Sequence, residues 1–399
     1  MRIRIAAVID TLGRGGAERL LVDTARLLDR SRFEMGVYTL FSRQRDYETA
    51  LRDIGVDEVC LDLGSHRNLP TGVRRLRASF RQHPPDVVHT HLFASNVVGR
   101  LAARLVERPV VSTSHDADYE SVVRLGNPGL TRPKQMFLRL TDALTAAVSG
   151  AQIVAVSEYV AHSAARRLWV GRERIEVIPN CVDTDRFCPD ETRRQETRAG
   201  LSLSAGATVV ICIGRMTPQK GQAVLIRALA RAQAMGSPLR LLLAGEGACR
   251  PAYEALTREL GLDLAVSFLG SRWDVPDLLR AADILCLPSL HEGFGIVLVE
   301  ALASGIPIIA SRTGPTPEII LEGETGLLVE PNDPDALAAA LAALAADPAR
   351  RRAMGDRGRQ DAVLRFALPP MVRRLEALYE RIVLEDRRPL EMPEGGESG

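Results

Sequence analysis

Paired cysteines are the first thing missing from this 399-residue chain. Its six cysteines, at 60, 181, 188, 212, 249 and 286, contain no C-x-x-C pair, and Cys212 and Cys286 fall inside apolar runs that read as buried strands. That usage argues against a disulfide framework and suits a reducing cytoplasm. Long hydrophobic runs are also missing, since none reaches the roughly 18 residues that a bilayer span requires. At the start of the chain, Arg2 and Arg4 precede only a short apolar stretch that runs into Asp10 and a glycine-rich loop, so no secretory segment is expected. Lysine is scarce as well. Of 51 basic residues only Lys134 and Lys220 are lysines, so a lysine inside a motif stands against strong arginine usage.

What is present suits a large soluble enzyme of two or more domains: 46% hydrophobic residues to build cores and 25% charged residues to cover them. A net charge of +1 argues against a dedicated nucleic-acid binder. The charge is unevenly spread, with 27 Lys+Arg against 23 Asp+Glu in residues 1–190 and 24 against 27 in the rest. Arginines 74, 75, 77 and 81 cluster around Leu76 and Phe80, and Arg132, Lys134 and Arg139 lie beside Met136, Phe137, Leu138 and Leu140. Such basic amphipathic segments could rest on an anionic membrane face, although a solvated face with ordinary core anchors is the simpler expectation.

Short β-branched runs alternate with longer helical stretches, as in Arg4 to Ile9, Glu18 to Leu28 and Met35 to Leu40. A second series begins near Val209 and continues through Leu239 to Leu243, Val266 to Leu269, Ile284 to Leu287 and Ile306 to Ile309. The pattern predicts an α/β chain with two parallel sheets and crossover helices. The charged stretch Pro189 to Ala205 reads as the linker, and helices are expected over Pro334 to Ala346 and Pro369 to Leu384. The Pro-, Gly- and Glu-rich tail 387–399 is expected to be disordered.

Two motifs carry chemistry. Gly214-Arg215-Met216-Thr217-Pro218-Gln219-Lys220-Gly221 follows the apolar run Thr208 to Ile213, so a strand delivers two cations to its C-terminal edge, where open α/β sheets bind ligands. Arginine forks onto phosphate oxygens and lysine adds a point charge. Farther on, Glu292-Gly293-Phe294-Gly295 leads through Ile296 to Glu300, placing two carboxylates eight positions apart. With a helix from Phe294, Glu292 sits at its N-terminal mouth and Glu300 projects on roughly the same side. The unpaired N–H groups of a helix start suit a phosphate, and glycines flanking Phe294 allow a close approach to backbone.

Together these stretches resemble the retaining glycosyltransferases of family 4, which have the GT-B fold of two facing Rossmann-like, doubly wound parallel-sheet domains. The resemblance extends over nearly the whole chain through Gly15-Gly16-Ala17-Glu18, Asp86 to His91, Ser114-His115-Asp116, Val156-Ser157-Glu158, Val177 to Asp183, Ala244 to Gly247 and Pro317 to Ile320. It implies an acceptor-side domain over 1–190, a donor-side domain over 191–369, and a helix over 370–386 crossing back to the first domain. It further implies sugar transfer from a nucleoside-diphosphate sugar, as substrate rather than cofactor, to a lipid-linked, polysaccharide or small-molecule acceptor, with no bound metal. The candidate catalytic residues are then His115, Arg215, Lys220 and Glu292. Donor contacts are expected from Gly15, Gly16, Gly214, Arg215, Lys220, Glu292, Gly293, Phe294, Gly295 and Glu300. Of these, Glu292 would hold sugar hydroxyls, Glu300 the ribose, and His115 would touch the sugar. A cytoplasmic protein with a peripheral contact at the inner membrane face completes the expectation.

The chain departs from the family pattern at Cys181 and at Gly314-Pro315, where glycine usually stands at 181 and 315; Pro315 removes an N–H from a loop that by resemblance lies near the donor. Other readings weigh less. Gly13 to Glu18 mimics a dinucleotide fingerprint, but glutamate occupies the third glycine position and no acid ends the next strand, so NAD binding is rejected. Asp116-Ala117-Asp118 spells D-x-D, a spelling that recurs at Asp183 and Asp333. His89 and His91 would share a strand face, with packing or the acceptor side preferred to a metal. A nucleotide-sugar 2-epimerase or a non-catalytic nucleotide-sugar binder remain alternatives; a glycosidase would have no use for Arg215 and Lys220.

Overall fold

The structure, a computed structural model, describes residues 2–117, 119–121, 123–126, 129–204 and 206–387. Thirteen strands appear among them: β1 Ile3–Ile9, β2 Phe33–Thr39, β3 Glu58–Cys60, β4 Val87–His91, β5 Val110–Ser114, β6 Gln152–Ala155, β7 Ile175–Val177, β8 Thr208–Ile213, β9 Leu239–Ala244, β10 Val266–Gly270, β11 Ile284–Leu287, β12 Ile308–Ser311 and β13 Gly326–Val329. They form a seven-stranded sheet in the order β3-β2-β1-β4-β5-β6-β7 and a six-stranded sheet in the order β10-β9-β8-β11-β12-β13. In each, the winding reverses beside the first strand, between β1 and β4 and between β8 and β11, both parallel pairs. Ligands of open α/β sheets sit outside the carboxyl ends of strands at such a reversal.

The parallel arrangement follows from strands that are apolar on both faces. In β8, Val209, Val210, Ile211 and Cys212 are all buried, which only helices on both sides of a sheet can achieve. Leu225 and Leu229 of the helix Gln222–Ala234 and Leu337 and Leu341 of the helix Pro334–Ala346 share one core with Val210 and Leu241. Each fully buried leucine is worth about 1.5–3 kcal/mol relative to exposure. Two edge strands escape the hydropathy pattern: β3, Glu58-Val59-Cys60, is too short to show periodicity, and β13 lies at the sheet edge with Leu327, Leu328 and Val329 only partly buried.

By packing, the chain forms two compact units: 2–113 with 141–154 and 372–387, and 114–140 with 155–371. The stretch taken for a linker is largely structured. Asp190 caps a helix over Glu191–Gly200, accepting from Arg193 N–H at 3.0 Å. From that helix Arg194 reaches Asp283 at 2.6 Å and Arg198 reaches it at 3.3 Å. Its polarity suggested solvent, but Arg194 and Arg198 turn inward to one aspartate and to the carbonyls of Ala281, Ser204 and Ala207, while Arg193 and Glu196 pair on the exposed face. The last helix runs Leu368–Asp386 and Arg387 pairs with Asp86 at 3.0 Å; the rest of the tail, 388–399, lies outside the described residues. In the first unit Tyr379 of this helix hydrogen-bonds His89 Nδ1 at 2.6 Å, while Nε2 meets Thr113 Oγ1 at 2.7 Å, so both nitrogens of that imidazole serve packing.

Candidate active site

Two loops leave the reversal point of the six-stranded sheet. The first follows β8 and turns through a 3₁₀ segment, Pro218–Lys220, into the helix Gln222–Ala234. Gly221 makes the turn at φ +69°, and a Cβ there would lie 2.0 Å from the Pro288 carbonyl oxygen, so only glycine lets the loops meet. The second loop follows β11. Leu290 N–H donates to Gln219 O at 2.8 Å and Gln219 Nε2 donates to His291 O at 3.1 Å, zipping the pair together.

This register sets Lys220 Nζ 2.7 Å from Glu292 Oε1. Ser289 Oγ donates to the same oxygen at 2.6 Å, and Glu292 is only 4% exposed. Breaking such a buried pair by removing one partner costs about 3–5 kcal/mol, whereas its net worth is smaller because both ions give up water. An ammonium has three donors, so Lys220 keeps two beyond the one spent on Glu292. Arg215 stands exposed on the same loop.

The expected helix starts two residues later than its apolar pattern suggested. It spans Ile296–Ala303, with Gly295 at the N-cap in the left-handed region and no side-chain cap. Its first N–H groups therefore meet no capping side chain. Glu300 is buried within this helix, and Phe294 is buried with its ring edge-on to Phe366 at 6.1 Å, which makes it a core anchor. Gly314, before Pro315, packs against Glu292: a Cβ on it would lie 2.5 Å from the Glu292 carbonyl oxygen.

His115 follows β5, whose residues up to Thr113 belong to the first unit, and itself falls in the second. It is half-buried, and the loss of hydration on burial pushes its pKa down from 6.5 to about 4, with Asp116 opposing the shift. The imidazole is then neutral at physiological pH and can exchange hydrogen bonds without carrying charge. Beside it lies a residue that the motifs did not single out. His291 Nε2 is 2.7 Å from Asp116 Oδ1, a contact that 175 positions of sequence separation conceal. Another contact joins two quoted motifs: the Glu318 carboxylate accepts from the N–H groups of Glu158 at 2.8 Å and Tyr159 at 2.7 Å, where negative charge meets the N-terminus of the helix Glu158–Leu168.

Gly214, Arg215, Lys220, Glu292, Gly293, Phe294, Gly295, Glu300 and His115 thus all belong to the second unit, whereas Gly15 and Gly16 belong to the first. There Gly15 is the N-cap of the helix Gly16–Leu27, and the Glu18 carboxylate folds back over it. Among the described residues no group of three or more His, Cys, Asp or Glu is gathered as metal ligands.

Two doubly wound parallel sheets, one with cations and a carboxylate turn at its reversal point, define a protein of the GT-B class. The chain belongs to the group 1, family 4 glycosyltransferases: residues 14–186 match the family described as Glycosyltransferase Family 4, and residues 193–361 match Glycosyl transferases group 1. It is therefore a glycosyltransferase. A D-inositol 3-phosphate glycosyltransferase of Corynebacterium kroppenstedtii is 34% identical over 74% of this chain and 67% of the relative. One from Corynebacterium aurimucosum is 30% identical over 92% and 90%. Among solved structures, HepE of Anabaena in complex with UDP and glucose superposes with a TM-score of 0.82 at 23% identity, covering 95% of this chain and all of that one. Sucrose-phosphate synthase from Thermosynechococcus elongatus gives 0.80 at 24% identity over 96% of this chain and all of that one, and both likenesses speak for the fold.

Proposed function

We propose that this protein transfers a sugar from a nucleoside-diphosphate sugar to an acceptor hydroxyl, with retention of the anomeric configuration and without a bound metal. The observation that carries the reading is the Lys220–Glu292 pair beside the uncapped start of the helix Ile296–Ala303. The bond from the anomeric carbon to the diphosphate oxygen breaks, and the acceptor oxygen takes its place. The acceptor proton passes to the departing phosphate. Lys220, Arg215 and the helix start stabilise the leaving charge, as preorganised cations and N–H groups do. Glu292 Oε2 accepts sugar hydroxyls, while Glu300 holds the ribose and neutral His115 contacts the sugar.

UDP-sugars are the first donors to try, because solved neighbours carry UDP. D-inositol 3-phosphate is the first acceptor to try, because the curated relatives are named for it. Lipid-linked and polysaccharide acceptors come next. The test is thermal melting against UDP-, GDP-, ADP- and dTDP-sugars, followed by nucleotide release with and without acceptor. Ligand at about a hundred times its Kd stabilises by roughly 2.7 kcal/mol, a shift of a few degrees in a chain of this size. Silence with every sugar nucleotide would sink the reading.

Peripheral contact with anionic lipid belongs to the same proposal. On the helix Arg132–Ser149, Met136, Leu140, Leu144 and Val148 recur every four residues and are 48%, 45%, 65% and 50% exposed. Arg132 and Lys134 flank the stripe, and the one acid of the helix, Asp142, is buried against Arg100 at 2.5 Å. An exposed apolar stripe on a helix whose exposed charges are positive suits an acidic bilayer surface. No described helix is long and apolar enough to cross a membrane. Sedimentation with phosphatidylglycerol vesicles, but not phosphatidylcholine vesicles, is expected and should be lost in Leu140→Glu/Leu144→Glu; equal recovery in all cases would refute the contact.

A further inference from the structure

The turn that bears Glu292 also grips a second segment of its own unit. His291 is 1% exposed, and its Nε2 lies 2.7 Å from Asp116 Oδ1. The same carboxylate oxygen accepts from Ala117 N–H at 2.7 Å, which closes the bend immediately after β5. Two residues along the turn, Gly293 supplies a second contact: a Cβ there would lie 2.3 Å from the His115 carbonyl oxygen and 2.7 Å from Asp116 Cα. The far side of the turn is tied to Gln219, one residue before Lys220. A histidine that merely filled space would have no need of a carboxylate partner, and a buried polar group is held where its hydrogen bond points.

We propose that His291 is a positioning residue for His115: through Asp116 it fixes the bend that presents the His115 imidazole to the donor site held by Lys220 and Glu292. The assignment rests on the proposed donor site. The backbone of His115 touches Gly293, the neighbour of Glu292, so a shift of the bend is a shift of the imidazole against the very turn that carries the carboxylate. Misplacement by about 1 Å can cost on the order of a hundredfold in rate.

The test uses the full chain labelled with [13C]histidine, the His115 signal being assigned by its loss in His115→Gln. In the wild type this imidazole should titrate near 4, against 6.5 for an ordinary histidine. In His291→Ala the bend is released, the midpoint should climb toward the ordinary value, and kcat for UDP release from UDP-glucose should fall roughly 10- to 100-fold with KM changed by no more than about threefold. His291→Gln, which keeps an N–H donor, should restore both. An unchanged His115 midpoint in His291→Ala, or a glutamine variant as impaired as the alanine one, would overturn the proposal. Lys220→Ala is run in parallel: if it alone leaves UDP binding and release intact, the donor site is misassigned, while the His115 midpoint still decides the role of His291.

Discussion

The two sheets reverse their winding in the same way but place opposite chemistry at the reversal. At the first, Asp10 follows β1, and its Oδ1 accepts from the backbone N–H of Ser95 at 2.9 Å and from Ser95 Oγ at 2.7 Å. Ser95 lies in the first turn of the helix Phe93–Arg104, so a carboxylate of the chain itself fills the place where a phosphate would otherwise bind. Burial pushes that carboxyl's pKa up, with the Ser95 bonds opposing. At the second reversal the helix Ile296–Ala303 has no capping side chain, and Lys220 and Arg215 stand on the neighbouring loop. The comparison teaches that topology provides the crevice twice, while individual side chains decide which one suits an anion.

Lys220→Ala should break the contrast most. Removing one preorganised donor to a developing oxyanion typically costs 10²- to 10³-fold in kcat, and Glu292→Ala should cost as much by freeing the lysine from its geometry. Nucleotide release measures this, and a double-mutant cycle separates the pair from its parts. Near-native rates in both variants would refute the site. Next, Gly221→Ala forces a side chain into a left-handed turn and against Pro288 O, and should cost roughly 1–3 kcal/mol together with most donor affinity. Urea unfolding and the donor-induced melting shift read the two effects.

Asp10→Ala sharpens the comparison from the other side. It removes a helix cap and should cost about 0.5–2 kcal/mol of stability, with the melting shift caused by UDP-sugar unchanged. A lost donor response would mean that the two reversals are not chemically separate. A smaller effect is expected from pH. His115 has a folded-state pKa of about 4 against 6.5 unperturbed, so the unfolded chain takes up its proton first on acidification. Its contribution to stability is therefore full above pH 6.5 and declines as pH falls toward 4, by up to about 1.4 kcal/mol per unit. Urea melts of wild type and His115→Gln between about pH 7.5 and 5 should differ in that slope.

Much of this was legible in the order of residues. Runs such as Thr208 to Ile213 and Ile284 to Leu287 announced buried parallel strands because β-branched apolar side chains on both faces need helices on both sides. The Gly214 to Gly221 loop and the Glu292 turn could be named because glycines, cations and carboxylates at fixed spacing keep their meaning without coordinates. Less of the site's bonding could be read. Local pattern carries no information about partners 72 or 175 positions away, so the pairing of Lys220 with Glu292 and of His291 with Asp116 had to come from the folded chain. The charged helix Glu191–Gly200 was hidden for the same reason: Arg194 and Arg198 look solvated until Asp283 is brought beneath them. By itself the sequence determined two parallel sheets and the residue types at one edge, since those depend on local periodicity and chemistry. Tertiary structure alone decided which charges neutralise one another, which loops meet beside the start of the helix Ile296–Ala303 and where His115 is held, because each depends on distances that close only when the chain is packed.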